Sequence, residues 1–237
     1  MMEHDRLLLE LADELDSAYN ERAREIRKLE DYGLEQNDDE LGVLRKALIV
    51  LLYAHFEGYC KFSLKCYVSY INRETPRLSE IKHGLLSACM EEAFKKLTND
   101  QYKPVHMRRD GKEDKKLQTT GRRKEFLTNY DQTISGVARI NEDICIDTES
   151  NLWAHILENL LFKLDLDYDI VDRHESEINR LLLLRNAYAH GDKRQLPSVA
   201  DYKIYRESVF ELMRHLREEI TSSFDQKAYL REESACA

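Results

Sequence analysis

Residues 181–191 read LLLLRNAYAHG, and the interpretation of the whole chain turns on them. Four consecutive leucines put apolar surface on every side of a helix, which suits a helix buried among others. The next turn carries Arg185, Asn186 and His190, and Gly191 then supplies a residue able to take positive φ just past a helix end. Two readings of that polar end are open. A histidine in a last turn interacts favourably with the helix C-terminal dipole, and an arginine can lay its stem on apolar surface with its head in water. The alternative is a site held rigidly by the leucines behind it.

Working outward, the chain reads as all-α. Of its 237 residues 42% are hydrophobic and 34% charged, with 3 Pro and 8 Gly, a balance that favours long amphipathic helices over a turn-rich β architecture. The length suits one domain, 1–237, with an elaborated insertion. Pro76, Pro104 and Pro197 fall between apolar-periodic segments and mark their boundaries. Residues 3–32 carry Leu8, Leu11, Leu15, Tyr19, Ala23, Ile26 and Leu29 at helical spacing. A second helix over 40–72 is apolar all round across ALIVLLYAHF and polar afterwards. Ser79 offers a cap for a third, running through Leu85, Leu86, Met90, Ala93 and Leu97. A fourth spans 150–164 and a fifth 171–190. After Pro197, Ser198 with Asp201 three residues on makes a capping-box start for a last helix to about 224. The expectation is a bundle of about six helices with its core over 39–225, a basic, irregular insertion over 99–149 and a flexible tail over 226–237.

The five cysteines are scattered, without CxxC spacing, so the sequence indicates neither a disulfide framework nor a zinc site. The start, MMEHDRLLLELADEL, lacks a basic-then-apolar signal profile, and the longest apolar run is about half of the ~20 residues a membrane span needs. The expected setting is the cytoplasm, with no membrane, no metal and no cofactor. A net charge of −9 argues against a protein that coats nucleic acid over its whole surface. The charge is unevenly spread, however. Between Lys103 and Lys124 nine Lys or Arg face three acids, a local +6 that leaves −15 for the rest. Such a run is either a solvated surface or an RNA-steering arm, with Arg108, Arg109, Arg122 and Arg123 as its candidate contacts.

Arg185 and His190 are about 140° apart around one helix with ~7.5 Å of rise between them, so they converge poorly on one small ligand unless a second helix or a second subunit completes the cleft. Asn186 and His190, four apart, stack on one face. Glu57 ends the apolar run of the second helix, where a buried carboxylate would need a partner; it either pairs with Arg185 or orients His190, or lies solvated on the outer face. Tyr188 reads first as a packing residue and second as a base-stacking one. His55, His155, His174 and His215 sit in no ligand spacing and read as structural.

RNAYAH is an R-x4-H pattern, and in the context of INRLLLL before it and an amphipathic helix behind it, it resembles the HEPN superfamily of helical bundles. LLYAHFEGYCKF and ESNLWAHILENLLFKLDLD are similar to the MAE-like branch. The resemblance covers about residues 40–225. It implies a metal-independent endoribonuclease, acting as a homodimer and commonly the toxin of a toxin–antitoxin or phage-defence system, with an antitoxin or defence protein as partner. By position it makes Arg185 and His190 the functional pair and Asn186 their polar neighbour. The chemistry fits those residue types. RNA carries its own 2′-OH nucleophile, imidazole can take or give a proton near neutrality, and guanidinium binds phosphate oxygens without losing charge. Members silenced by AMP transfer resemble R-x4-H-x-Tyr, whereas position 192 here is Asp, which puts that control in doubt. A different class of function shares the fold: a non-catalytic helical module that binds a partner protein or nucleic acid through the same surface.

Overall fold

The computed structural model describes residues 3–32, 39–105, 114–148, 151–191 and 198–232. It is all-α. Among the described residues there is no strand, only isolated bridges of Arg77 with Val137 and of Ile81 with Leu230. The helices are α1 (Glu3–Asp31), α2 (Asp39–Glu74), α3 (His83–Cys89), α4 (Glu91–Thr98), α5 (Lys115–Thr133), α6 (Glu142–Cys145), α7 (Ala154–Lys163), α8 (Asp169–Ala189) and α9 (Val199–Asp225).

Four of them, α1, α2, α8 and α9, form the frame, each packed against its neighbours. Polar pairs fix their directions. Glu25 meets His55, Glu14 the Tyr70 hydroxyl and Glu10 Arg73, so α1 and α2 are antiparallel. Glu30 meets Arg206 and Asp16 meets Arg217, which sets α9 antiparallel to α1. Arg185 lies over the Tyr53 ring and Lys46 over the Tyr188 ring, so α8 runs against α2. Between α2 and α8 the chain builds α3 to α7, of which α7 rests on α8 and α3 on α7.

The periodicity of the sequence explains which faces are inside. Leu7, Leu11, Leu15, Ala18, Ala23 and Ile26 are the buried stripe of α1. This helix therefore belongs to the core, which extends beyond the 39–225 expected. In α2 the buried set runs from Leu48 and Ile49 through Tyr53, Phe56 and Tyr59, then on to Leu64, Tyr67, Val68 and Ile71. The half expected to turn polar is buried too, because α2 touches α1, α8 and α9 at once. The capping box at the start of α9 forms as the sequence indicates: Ser198 Oγ accepts from the Asp201 amide, and the Asp201 carboxylate accepts from the Ser198 amide at 3.0 Å.

Three expectations are corrected. The single third helix is broken at Met90 into α3 and α4, and Ser79 does not cap it. Instead, the amide of Gly84 near the start of α3 donates to Asp165 Oδ2 at 3.1 Å, a partner 81 residues away. The insertion is not irregular over residues 115–133. Asp114 caps α5 by accepting from the amides of Lys116 and Leu117, and Phe126 and Tyr130 line its inner side. The sparse apolar spacing hid that helix. Over residues 226–232 the tail is packed on the bundle: Tyr229 is buried, its carbonyl accepts from the Lys82 amide, and Arg231 donates from its amide and Nε to the carbonyls of Glu80 and Ile81.

Candidate functional site

The last two turns of α8 carry the candidate residues, and the leucines explain their placement. Leu181, Leu182 and Leu184 are buried, which fixes the rotation of the helix about its axis. Arg185 then emerges half-buried toward α2 and the segment before α7. Its Nη1 donates to Asn186 Oδ1 at 2.8 Å and to Asn151 Oδ1 at 3.2 Å, and its guanidinium carbon stands 5.1 Å from the centre of the Tyr53 ring. Tyr53 is itself pinned, since its hydroxyl accepts from the Leu152 amide at 2.8 Å. Burial pushes the Tyr53 hydroxyl far above the usual phenol range, with the Glu57 charge acting the same way, so it is a neutral ring at ordinary pH. The cation–π contact, two amide oxygens and a fixed ring hold one edge of the guanidinium. Among the described residues no partner engages Nη2 or Nε.

Glu57 lies one turn beyond Tyr53 on α2 and is half-buried. Burial pushes its carboxyl up, while the charges of Arg185 and Lys61 pull it back. The sequence reading that set Glu57 against Arg185 is thus matched by proximity, through space rather than by a direct ion pair among the described residues. His190 is the C-cap residue of α8, its amide donating to the Asn186 carbonyl at 3.1 Å, and Gly191 follows at φ +75° with its amide on the Tyr188 carbonyl. Its imidazole is exposed, and among the described residues nothing holds the ring. Tyr188 is half-buried against the core, with Lys46 Nζ 5.8 Å from its ring centre.

The packing of α8 on α2 therefore sets Arg185 and Asn186 on the side of Glu57, and leaves His190 facing solvent one turn on. Of the arm residues, Arg122 and Arg123 do not join this cluster. Arg122 is corrected outright as an RNA contact: its side chain is 5% exposed and donates to Asp100 Oδ1 at 2.8 Å and Thr119 Oγ1 at 3.1 Å. It is a strut between α5 and the connection from α4. Arg123 is exposed on α5, and Arg108 and Arg109 lie outside the described residues. Sequence reasoning missed Tyr53, Asn151 and Lys46. A tyrosine within an otherwise apolar buried run was a usable signal, since its hydroxyl must find a partner. Asn151 gave none, because an asparagine ahead of a helix reads as a cap. Here the first turn of α7 is served from elsewhere, the Ala154 amide donating to Asn179 Oδ1 of α8 at 3.1 Å.

The remaining histidines take structural places. His55 meets Glu25 at 3.0 Å, His174 meets Glu211 at 3.5 Å, and His155 stacks with Trp153. Among the described residues no three His, Cys, Asp or Glu side chains gather in a metal-sized cluster, and no helix is long and apolar enough to cross a membrane.

Comparison with known proteins adds the lineage. The family model of RiboL-PSP-HEPN matches residues 17–222. No curated protein and no solved structure matches the chain. The HEPN superfamily inferred from the sequence holds, and the family whose model matches is RiboL-PSP-HEPN. Within the His-Phe-Glu stretch of α2, Phe56 lies in the core and His55 meets Glu25. HEPN domains are often ribonucleases, which points to a nuclease or RNA-related role. The match runs from the middle of α1 into α9, well over half of the chain, and on that ground the chain belongs to the RiboL-PSP-HEPN family.

Proposed function

We propose that the chain is a metal-independent endoribonuclease whose working site combines Arg185 and His190 of two copies across a two-fold axis. The observation that supports it most is the half-used guanidinium. Nη1 of Arg185 is fixed by Asn151 and Asn186 over the Tyr53 ring, and among the described residues the opposite edge has no partner, which suits an anion. A phosphate bound there keeps a fixed orientation, since an arginine already restrained loses little further freedom on binding.

In this reading a base removes the proton of the 2′-OH, the freed oxygen attacks the adjacent phosphorus, and the bond from phosphorus to the 5′-oxygen breaks as that oxygen takes up a proton. The products are a 2′,3′-cyclic phosphate and a 5′-OH. Arg185 neutralises the charge that builds on the phosphorane oxygens. Two proton handlers suit the reaction, and among the described residues His190 is the exposed imidazole at this end of α8. The His190 of a second copy supplies the other. Glu57 keeps Arg185 in place and Asn186 orients it. As a toxin or defence nuclease such an enzyme acts in the cytoplasm, on cellular RNA, under the restraint of an antitoxin or a companion protein.

One observation favours a second reading, a non-catalytic module that binds a protein or nucleic acid: nothing among the described residues orients the His190 ring. The deciding experiment is done in cells. Wild-type, Arg185→Ala and His190→Ala chains are induced separately in a bacterial host, growth is followed, and new RNA 5′ ends are mapped. The nuclease reading expects growth arrest and new ends from the wild type alone. Harmless expression of all three, without new ends, favours the module, and full activity in an obligate monomer sinks the composite site.

A further inference from the structure

The helix α5 carries its charge against its own stability. Lys115 and Lys116 occupy its first turn, where the positive end of the helix dipole repels them, and its last turn holds Asp131 and no base. A helix shaped for stability alone would have the reverse order. The acids nearby are meanwhile withdrawn into structural use. Asp100 pairs with Arg122, Asp114 caps the helix, and Glu125 accepts from the Tyr102 hydroxyl at 2.6 Å and the Val105 amide at 2.9 Å. What remains outside over residues 115–124 is cationic, while the exposed Asp131 sits two turns beyond Arg123 toward the far end of the helix. Lys115, Lys116, Arg123 and Lys124 are exposed, and no ion pair neutralises them among the described residues. Because Arg123 lies seven residues beyond Lys116, the two fall within about 20° around the helix, with Lys124 about 80° on from Lys116. They make one face. It is held rigid from behind by the buried Arg122 and by Phe126, whose ring packs against Phe94 of α4 at 5.3 Å between centroids.

We propose that this outer face of α5, through Lys116, Arg123 and Lys124, docks the sugar–phosphate backbone of RNA. Charge complementarity selects the occupant. In a chain of net charge −9 an unneutralised basic face is a local exception, and a polyanion that releases its counterions on binding is the partner such a face fits. With cations and few base-reading groups, the face grips RNA independently of sequence and leaves selectivity to the cleft at the end of α8. The choice of RNA among polyanions rests on the ribonuclease reading above.

The test uses the full-length chain carrying His190→Ala, so that RNA survives, and a labelled oligouridine probe. Binding is measured by fluorescence anisotropy across a salt series, with and without Lys116→Ala, Arg123→Ala and Lys124→Ala together. The triple variant should raise the Kd about tenfold or more near physiological salt and flatten the slope of log affinity against log salt by about 2, since each phosphate neutralised on a single strand adds ~0.7 to that slope. Arg122→Met serves as the contrast: it should lower the Tm and leave the salt slope alone. An unchanged Kd and slope in the triple variant, at an unchanged circular dichroism spectrum, overturns the proposal. So does equally tight binding of polyglutamate that the same substitutions abolish, since the face would then read an acidic protein. If the chain with His190 intact cleaves no RNA yet the triple variant loses RNA binding, the docking face stands and the ribonuclease reading falls. If the three substitutions made with His190 intact leave cleavage kinetics unaltered, the ribonuclease reading stands and the docking face falls.

Discussion

At the scale of single residues, everything converges on how Arg185 is held. Asn151 Oδ1 and the Tyr53 ring fix it from two different parts of the chain; Tyr53 is itself a core residue, so it is removal of Asn151 that should loosen the guanidinium without emptying the core. Asn151→Ala is expected to cost about 1 kcal/mol of stability or less, the net worth of one hydrogen bond. On the ribonuclease proposal it should also reduce RNA cleavage about tenfold, because the guanidinium loses its fixed aim. A calorimetric Tm beside single-turnover cleavage separates the two effects, and equal losses in both would remove Asn151 from any positioning role. Glu57 gives a pH signature. Its carboxyl is raised in the folded chain, above all by burial, so its contribution is fully present below the ordinary carboxylate value of 4.5 and is lost as pH rises through the raised one. Glu57→Gln should therefore gain stability relative to wild type at neutral pH, and the gain should vanish toward pH 4.5. Thermal unfolding across that window checks it; a constant offset at every pH would mean that the carboxyl is not perturbed. The residues legible in sequence were those whose neighbours are close in the chain. Arg185, Asn186 and His190 stand within six positions of one another, whereas Asn151 and Tyr53 reach Arg185 only through the fold.

At the scale of elements, local chemistry again separates what sequence foretold from what it did not. The Ser198 capping box is self-contained over four residues, and it forms as read. Ser198→Ala should cost about 1 kcal/mol and lower the Tm by about 2–4 °C, measured by calorimetry. The start of α3 is the opposite case. No residue beside it in sequence caps it; Asp165, held at φ +57°, reaches across from the end of α7 to the Gly84 amide. The approach is so close that a Cβ on Gly84 would stand 2.5 Å from the Lys163 carbonyl oxygen and 2.6 Å from the Asp165 carboxylate. Gly84→Ala should thus destabilise by about 2 kcal/mol or more through overpacking, visible as a Tm drop of about 4–8 °C. A wild-type Tm would show that the two segments part easily. The helix α5 escaped notice for a further reason. Its stability comes from the Asp114 cap and the Arg122 strut, neither of which leaves a trace in hydrophobic periodicity.

At the scale of the molecule, α1 is the test of what counts as core. Leu7, Leu11, Leu15 and Ile26 are each buried, and at about 2 kcal/mol apiece their removal costs roughly 8 kcal/mol, comparable to the whole stability of an ordinary domain. A chain beginning at residue 39 should accordingly be insoluble or unfolded by circular dichroism. A cooperative thermal transition in that fragment would return α1 to the status of an accessory. The all-α class was legible from composition because few glycines and prolines and many charges leave room for little else. The order of the frame was not, because nothing in a helical pattern says which helix will be its neighbour.

That order has a consequence for how the protein comes into being. The pair of α1 and α2 leaves the ribosome before α8 and α9, and the helices that cover its apolar side end only at Asp225, 151 residues after Glu74, the last residue of α2. At a synthesis rate of about 5–20 residues per second, the stripe from Leu48 to Ile71 stays uncovered for roughly 8–30 s. Over that interval the nascent chain is a natural client for holdase chaperones, and a circular permutant that makes α8 and α9 immediate neighbours of α1 in sequence should fold faster and depend on them less.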